Sequence, residues 1–257
     1  MALFLVIYVA TALVNYSVVQ SVAGALAGKA LSQRCGGTVR IASLAANPFD
    51  HALVRGALIV DPQGDTVAWA DRVSVRFNGF PFKDNTLRFG YAGVTDGGFH
   101  LAPDSTNAIN LKFFLQLFAP EQPRVKGQPK PFTLSIRTVV LKNLRYHQDL
   151  RGRENPLPVG ADIPHLDFYG LDARIQGLTV DERGRVTCQI QRFACRERRG
   201  MNLQRLEGDV DVGPQGILCN NMVLVTDSSH LEADVQLRFR DCKTTKYWCD
   251  SVDMYVL

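Results

Sequence analysis

Stretches in which apolar and polar residues alternate recur along most of the chain, and they constrain its fold more than any other feature. After the turn residues Gly64-Asp65, five apolar positions share one parity: Val67, Trp69, Val73, Val75 and Phe77. Arg72, Ser74 and Arg76 take the other parity. Side chains of a strand alternate between the two faces of a sheet, so this segment predicts a strand with one apolar and one polar face.

The same pattern predicts about a dozen strands in all. Segments 52–61 and 65–78 form a hairpin, and apolar stripes recur at Leu87/Phe89, Leu134/Ile136 and Val235/Leu237. Asp96-Gly97-Gly98 predicts a turn between strands. The fold class is therefore mainly β, built from a long run of antiparallel strands. Either a second sheet covers its apolar face in a sandwich, or the sheet curls and leaves that face open to a ligand.

Helical patterns are few. Residues 1–14 carry no charge, and they predict a membrane anchor, with a cleaved signal peptide as the alternative. Residues 16–34 then predict an amphipathic helix, ended by Gly36-Gly37, that lies at the membrane interface or caps the first strand. We divide the chain into an anchor with its helix, 1–35, and a β-domain, 36–257. Within the β-domain we expect a helix at 107–118 and loops at 119–131 and 150–160.

A faint repeat links two segments that lie 47 positions apart. Residues 86–101 align with residues 133–148, so that Val94 matches Leu141 and His100 matches His147. Each unit is predicted to be a strand, a turn and a second strand. A true repeat would indicate an array that grows along one axis.

The sequence shows no motif of a catalytic, nucleotide-binding or metal-binding site. It lacks nucleophile, P-loop, dinucleotide and zinc signatures, and its five histidines are dispersed without an i,i+4 pair. The six cysteines show no metal spacing, and Cys188 and Cys195 are predicted not to pair. We therefore expect no enzyme, no cofactor and no metal. The net charge of +4 is too modest to indicate nucleic acid.

One basic cluster stands out, at Arg192, Arg196, Arg198 and Arg199 with Arg183 and Arg185 nearby. Three interpretations stay open: a solvated strand face or loop, a site that attracts anionic headgroups, or a docking surface.

The order of these elements resembles the N-terminal part of the TamB/AsmA-like family in its Bacteroidota form. The matching features are the membrane segment, the helix ending in RCGGTVRIASL, the hairpin GALIVDPQGDTVAWADRVSVRF, LSIRTVVLKNLRYH and HLDFYGLDARIQGL. FACRERRGMNLQRLEGDVDV is similar to the family's Glu-x-Ser-Gly stretch, with Arg199 where serine is usual. LVTDSSHLEADVQLRF is similar to the family's Ser-x-Leu strand.

The resemblance implies a long twisted antiparallel sheet folded as an open, taco-shaped β-groove with an apolar interior. One N-terminal helix would hold it at the inner membrane, and the groove would extend through the periplasm. It also implies carriage of phospholipid between membranes, an outer-membrane β-barrel partner of the insertase superfamily, and a chain truncated at its C-terminus. The expected groove residues are Val67, Trp69, Val73, Val75, Phe77, Leu87, Phe89, Leu134, Ile136, Val235 and Leu237. The alternatives are an outer-membrane protein assembly factor that docks a barrel by edge-strand pairing, and a closed sandwich.

Overall fold

The structure is a computed structural model. It describes residues 17–47, 50–83, 86–103, 110, 133–149, 165–182, 184–213, 216–239 and 252–256. The predicted anchor at 1–14, the loops at 119–131 and 150–160, and all of the predicted helix at 107–118 except Asn110 lie outside these residues.

The described residues form one helix and eleven strands. They are α1 (Ser17–Cys35), β1 (Thr38–Asn47), β2 (His51–Val60), β3 (Thr66–Lys83), β4 (Thr86–Leu101), β5 (Thr133–Asp149), β6 (His165–Val180), β7 (Val186–Glu197), β8 (Asn202–Gly213), β9 (Gly216–Thr226), β10 (His230–Phe239) and β11 (Val252–Val256). The strands join one open sheet in chain order, from β1 at one edge to β11 at the other. The mainly β prediction is confirmed.

The sheet is mixed, so the prediction of a wholly antiparallel sheet is wrong at one junction. β4 and β5 run parallel, whereas every other neighbouring pair is antiparallel. A parallel pair needs a long connection between its strands. Here the segment 102–132 separates β4 from β5, which is far more than a hairpin loop.

The 47-residue repeat coincides with this parallel junction. β4 and β5 pair at a constant offset, from Thr86 beside Thr133 to Leu101 beside Gln148. Matched positions of the two segments are therefore side-by-side neighbours in the sheet. Each unit is one continuous strand, and the predicted strand-turn-strand is wrong.

The predicted turn at Asp96-Gly97-Gly98 is also wrong, because these residues lie inside β4. A Cβ atom on Gly98 would clash with the Trp69 ring on β3 and would lie 2.9 Å from the Arg145 carbonyl oxygen on β5. A Cβ atom on Gly97 would likewise clash with the backbone of Trp69 and lie close to the side chain of Ala70. The two glycines thus allow close approach of neighbouring strands rather than chain reversal.

Left-handed residues interrupt the alternation within several strands. Asn143 has φ 52° and lies between Leu141 and Leu144, which differ in parity yet pack against the same buried cluster. The Asn143 amide N–H donates to Asp172 Oδ1 (2.8 Å), and its Nδ2 donates to Asp96 Oδ1 (2.6 Å). A kinked residue of this kind shifts the parity of the side chains that follow it.

The same arrangement recurs at Asn221 on β9, which has φ 52°. Its amide N–H donates to Asp234 Oδ1 (2.7 Å) and its Nδ2 donates to Asp209 Oδ2 (3.1 Å). An asparagine flanked by an aspartate on each neighbouring strand therefore supports a kink in both halves of the sheet, since asparagine tolerates the left-handed region.

Helix α1 covers the outer edge of β1, as one of the two sequence interpretations predicted. The Ser32 Oγ accepts the Val39 amide N–H (2.7 Å), so the outward hydrogen-bonding groups of this edge strand are partly satisfied. Gly24 and Gly28 are buried against the backbone of β1. The helix ends at Cys35, and Gly36 adopts φ 76°, which confirms the predicted stop.

We expect Gly98→Val to lower the free energy of unfolding by about 1–3 kcal/mol, because the added side chain collides with the Trp69 ring and the β5 backbone. Urea unfolding measures the change. Gly213→Ala is the matched control, since its Cβ would lie 3.7 Å from Arg185, an ordinary contact. Equal stability of the two variants would contradict the packing role of Gly98.

Candidate functional site

The strand register assembles a row of apolar residues that crosses ten strands. We call it the central row, and it consists of Leu44, Val54, Val73, Val94, Leu141, Ala173, Phe193, Leu206, Leu224 and Leu231. Each residue is the direct register partner of the next. Directly opposed residues lie on the same face of a sheet with Cβ atoms about 5 Å apart. The row is therefore continuous from β1 to β10.

Two further rows run closer to the β4 start. The first flanking row contains Leu87, Leu134, Val180, Val186, Val212, Ile217 and Leu237, one residue from each of β4 to β10. The second flanking row contains Phe77, Phe89, Ile136 and Leu178 on β3 to β6, and Cys188, Val210, Cys219 and Val235 on β7 to β10. The Phe77 and Phe89 rings lie 5.7 Å apart between centroids.

Most of the predicted groove residues belong to these rows. Phe77, Leu87, Phe89, Leu134, Ile136, Val235 and Leu237 lie in the two flanking rows, and Val73 lies in the central row. Val75 continues along β3 beside Ala52 and Ala92.

Trp69 and Val67 have different surroundings. Trp69 is in register with Gly98, which is in turn beside Arg145, and its neighbours Ala68 and Ala70 pair with Phe99 and Gly97. Val67 lies at a register shift between β2 and β3 and is 0% exposed. Neither residue joins the rows. They were predicted to do so because counting alternate positions assumes that the sheet is regular along the whole strand.

The opposite face of the flanking region is polar. Thr179 and Thr187 share a hydrogen bond of 2.6 Å between their hydroxyl oxygens, and Thr187 is in register with Asp211. Asp211 forms a bidentate ion pair with Arg185. An open depression of ≈ 490 Å³ is lined by polar residues such as Gln189 and Asp209 together with Cys188 and Val210 of the second flanking row. Thr179, Thr187 and Asp211 therefore form a polar register beside the apolar rows.

Only one layer of structure supports these rows among the described residues. The extensive contacts there are between strands that are consecutive in the chain, and between α1 and β1. The largest buried cluster lies around the central row, at Leu171, Ala173, Cys195 and Leu203. The residues of the flanking rows stay half-buried, as expected of side chains that contact their row neighbours without a second sheet above them.

Three of the cysteines act as apolar residues of these surfaces. Cys188, Cys195 and Cys219 are free, so Cys188 and Cys195 do not pair, as predicted. Burial raises the pKa of the Cys195 thiol to about 11, and it also raises the pKa values of Cys188 and Cys219. A thiol with a raised pKa stays protonated near neutral pH and is a poor nucleophile.

The structure brings together three histidines that are dispersed in the sequence. His100 and His147 stack across the parallel junction with ring centroids 4.7 Å apart. The His147 Nδ1 lies 3.9 Å from Asp167 Oδ2, and the His165 Nε2 lies 3.4 Å from Asp149 Oδ1. The only sequence signal for this cluster was the alignment of His100 with His147 in the repeat.

Asp167 is the central acid of this cluster. Its buried carboxylate accepts hydrogen bonds from Arg145 Nε (3.0 Å) and Nη2 (2.7 Å), and Arg198 Nη1 lies 3.7 Å away. The hydrogen bond from Arg145 lowers the pKa of Asp167 below its ordinary value, against an opposing effect of burial.

The predicted basic cluster does not form one patch. Arg185 is paired with Asp211, Arg198 lies near Asp167, and Arg192 is in register with Arg174 on β6. Arg196 is in register with Tyr169, and Arg183 lies outside the described residues.

No metal site is found in the described part of the chain, where no three His, Cys, Asp or Glu side chains are arranged to hold an ion. In the same part, no helix has the length and hydropathy needed to cross a membrane. No family model, curated protein or solved structure matches the chain.

Asp167→Asn is expected to lower the free energy of unfolding at pH 7 by about 1–3 kcal/mol, because Arg145 loses a charged acceptor. The lowered pKa of Asp167 means that its stabilising effect is present above its ordinary pKa of 3.8 and is lost as the pH falls through its folded pKa. The difference between the two proteins should therefore narrow below pH 3.8 in denaturant titrations. A difference independent of pH would contradict this role.

His100 is expected to titrate below its ordinary pKa of 6.5, because burial and then the adjacent His147 disfavour its charged form. A group with a lowered folded pKa stabilises the fold above its unfolded pKa, so stability should fall as the pH drops below 6.5. Proton NMR titration of the imidazole resonances measures the pKa of His100, and the resonance that is lost in His100→Gln assigns its signal. A His100 pKa above 6.5 would contradict the desolvated stack.

Proposed function

We propose that this chain is a membrane-anchored carrier of phospholipid, and that the acyl chains of the lipid lie along the apolar rows. The observation that carries the proposal is the continuity of the central row over ten strands in a sheet with one described layer. Burying an acyl chain there gains about 0.8 kcal/mol per CH₂ without a directional partner. Such a surface needs no catalytic group.

The flanking rows support the same function. They place Ile136 and Val235 on one apolar surface, while their neighbours Ser135 and Gln236 belong to the opposite, polar register. Acyl chains would contact the apolar rows, and the polar face would stay in water. The proposal places the chain at the inner membrane with its sheet in the periplasm, as an apolar groove that leads toward an outer-membrane β-barrel of the insertase superfamily. The resemblance of the sequence to the TamB/AsmA-like family supports these last points.

A second function is favoured by the far edge of the sheet. Among the described residues, β11 has a strand neighbour only on its β10 side. An edge strand offers backbone groups for pairing with another chain. This observation favours an assembly factor that docks a barrel protein by strand addition.

Photo-crosslinking in cells distinguishes the two functions. A photoreactive amino acid at position 136 or 235 of the full chain should give phospholipid adducts, because both positions lie in the second flanking row. The matched controls are positions 135 and 236, which belong to the polar register and should give adducts only at background level.

Circular dichroism must first show that all four substituted proteins are folded. Equal lipid adducts at all four positions would reflect general membrane proximity and would contradict a specific acyl surface. Protein adducts from a photoreactive residue placed in β11, without lipid adducts at position 136 or 235, would favour the assembly factor.

A further inference from the structure

Helix α1 has two unlike sides, and the sheet uses only one of them. Small residues at four-residue spacing face β1. A Cβ on Gly24 would lie 2.9 Å from the Ile41 carbonyl oxygen, and a Cβ on Gly28 would lie 2.8 Å from the Val39 carbonyl oxygen. Since Gly24 meets Ile41 and Ser43 while Gly28 meets Val39, the helix axis runs along β1 in the opposite direction.

Large apolar side chains occupy the other side and are exposed. The exposed fractions are 72% for Val18, 39% for Val19, 53% for Val22 and 64% for Leu26. At about 100° per residue, Val22 and Leu26 each lie about 160° from Gly24 around the helix. The helix therefore presents its bulky apolar residues directly away from the sheet, which is the reverse of an ordinary surface helix.

The charge of this region favours an anionic membrane as the partner of that side. No Asp or Glu precedes Asp50, whereas Lys29, Arg34 and Arg40 are cationic and exposed. Residues 1–28, which include the exposed apolar side, carry no charge at all. Apolar residues followed by cations, without acids, match an anionic bilayer: acyl chains accept the former and headgroups attract the latter.

We propose that α1 lies flat on an anionic lipid surface through Val18, Val22 and Leu26, with Lys29 and Arg34 at the level of the headgroups. Its small-residue side then holds β1. Because the helix axis follows β1, the strands run parallel to the membrane plane, and the sheet extends away from it one strand at a time. This inference rests on the membrane location within the proposed function and is independent of lipid carriage.

Tryptophan quenching in vesicles tests the orientation of the helix. Val22→Trp and Leu26→Trp of the full chain are compared with Ser21→Trp, which replaces an exposed residue about 100° around the helix from the centre of the proposed face. The vesicles contain phosphatidylglycerol and lipids with brominated acyl chains. The parent protein supplies the background from Trp69 and Trp248.

A flat helix predicts strong quenching at positions 22 and 26 and several-fold weaker quenching at position 21. Quenching that changes steadily along the helix without regard to side would show end-on entry and would overturn the proposal. Absence of quenching at positions 22 and 26 would overturn it too, and a doubled mass in solution would then assign the surface to a second copy of the chain.

The charge requirement has its own readout. Lys29→Gln should weaken binding to phosphatidylglycerol vesicles about fivefold, as expected for one cation near an anionic surface, and should change binding to phosphatidylcholine vesicles little. Equal loss on both lipids would overturn the role of Lys29. Lipid adducts at positions 136 and 235 report on carriage separately, so either idea can fail while the other stands.

Discussion

Backbone hydrogen bonding between consecutive strands is the interaction on which the rest of this structure depends. Each strand pairs its backbone N–H and C=O groups with those of the strands before and after it. The described residues show no second layer that would fix the strand positions independently. Register alone therefore decides which side chains meet. It turns short apolar stripes, each unremarkable in its own segment, into rows that cross the sheet.

The outer edge of β1 shows how such a sheet is ended. An unpaired edge strand is a template for association with other chains. Helix α1 covers this edge with glycine and serine, because bulky side chains would hold the helix away from the strand backbone. The bulky residues are consequently placed on the outside of the helix, and a structural requirement at the edge creates the surface that we assign to the membrane.

The sequence allowed the strands, the turn at Gly64-Asp65 and the helix stop to be predicted, because each depends on local chemistry. The Asp61 carboxylate accepts hydrogen bonds from the amide N–H groups of Gln63 and Asp65, as expected for a turn aspartate.

The predicted turn at Asp96-Gly97-Gly98 was wrong because its glycines make room for Trp69, which is distant in the chain. Trp69 was grouped with Val73 because parity was counted without regard to irregularities in the sheet. The His100, His147 and His165 cluster needs the parallel junction, which no local pattern encodes.

The parallel pairing of β4 with β5 has a consequence for how a sheet of this kind changes in length. Within an antiparallel series, removal of two consecutive strands leaves chain direction and side-chain faces intact, whereas removal of one strand reverses the direction of everything that follows. At a parallel junction, by contrast, the second strand runs in the same direction as the first. This junction joins two meanders, β1–β4 and β5–β11, whose strand numbers can change by hairpins on either side without disturbing the other. The faint repeat between residues 86–101 and 133–148 lies at this junction, where the matching strands share the same direction and faces.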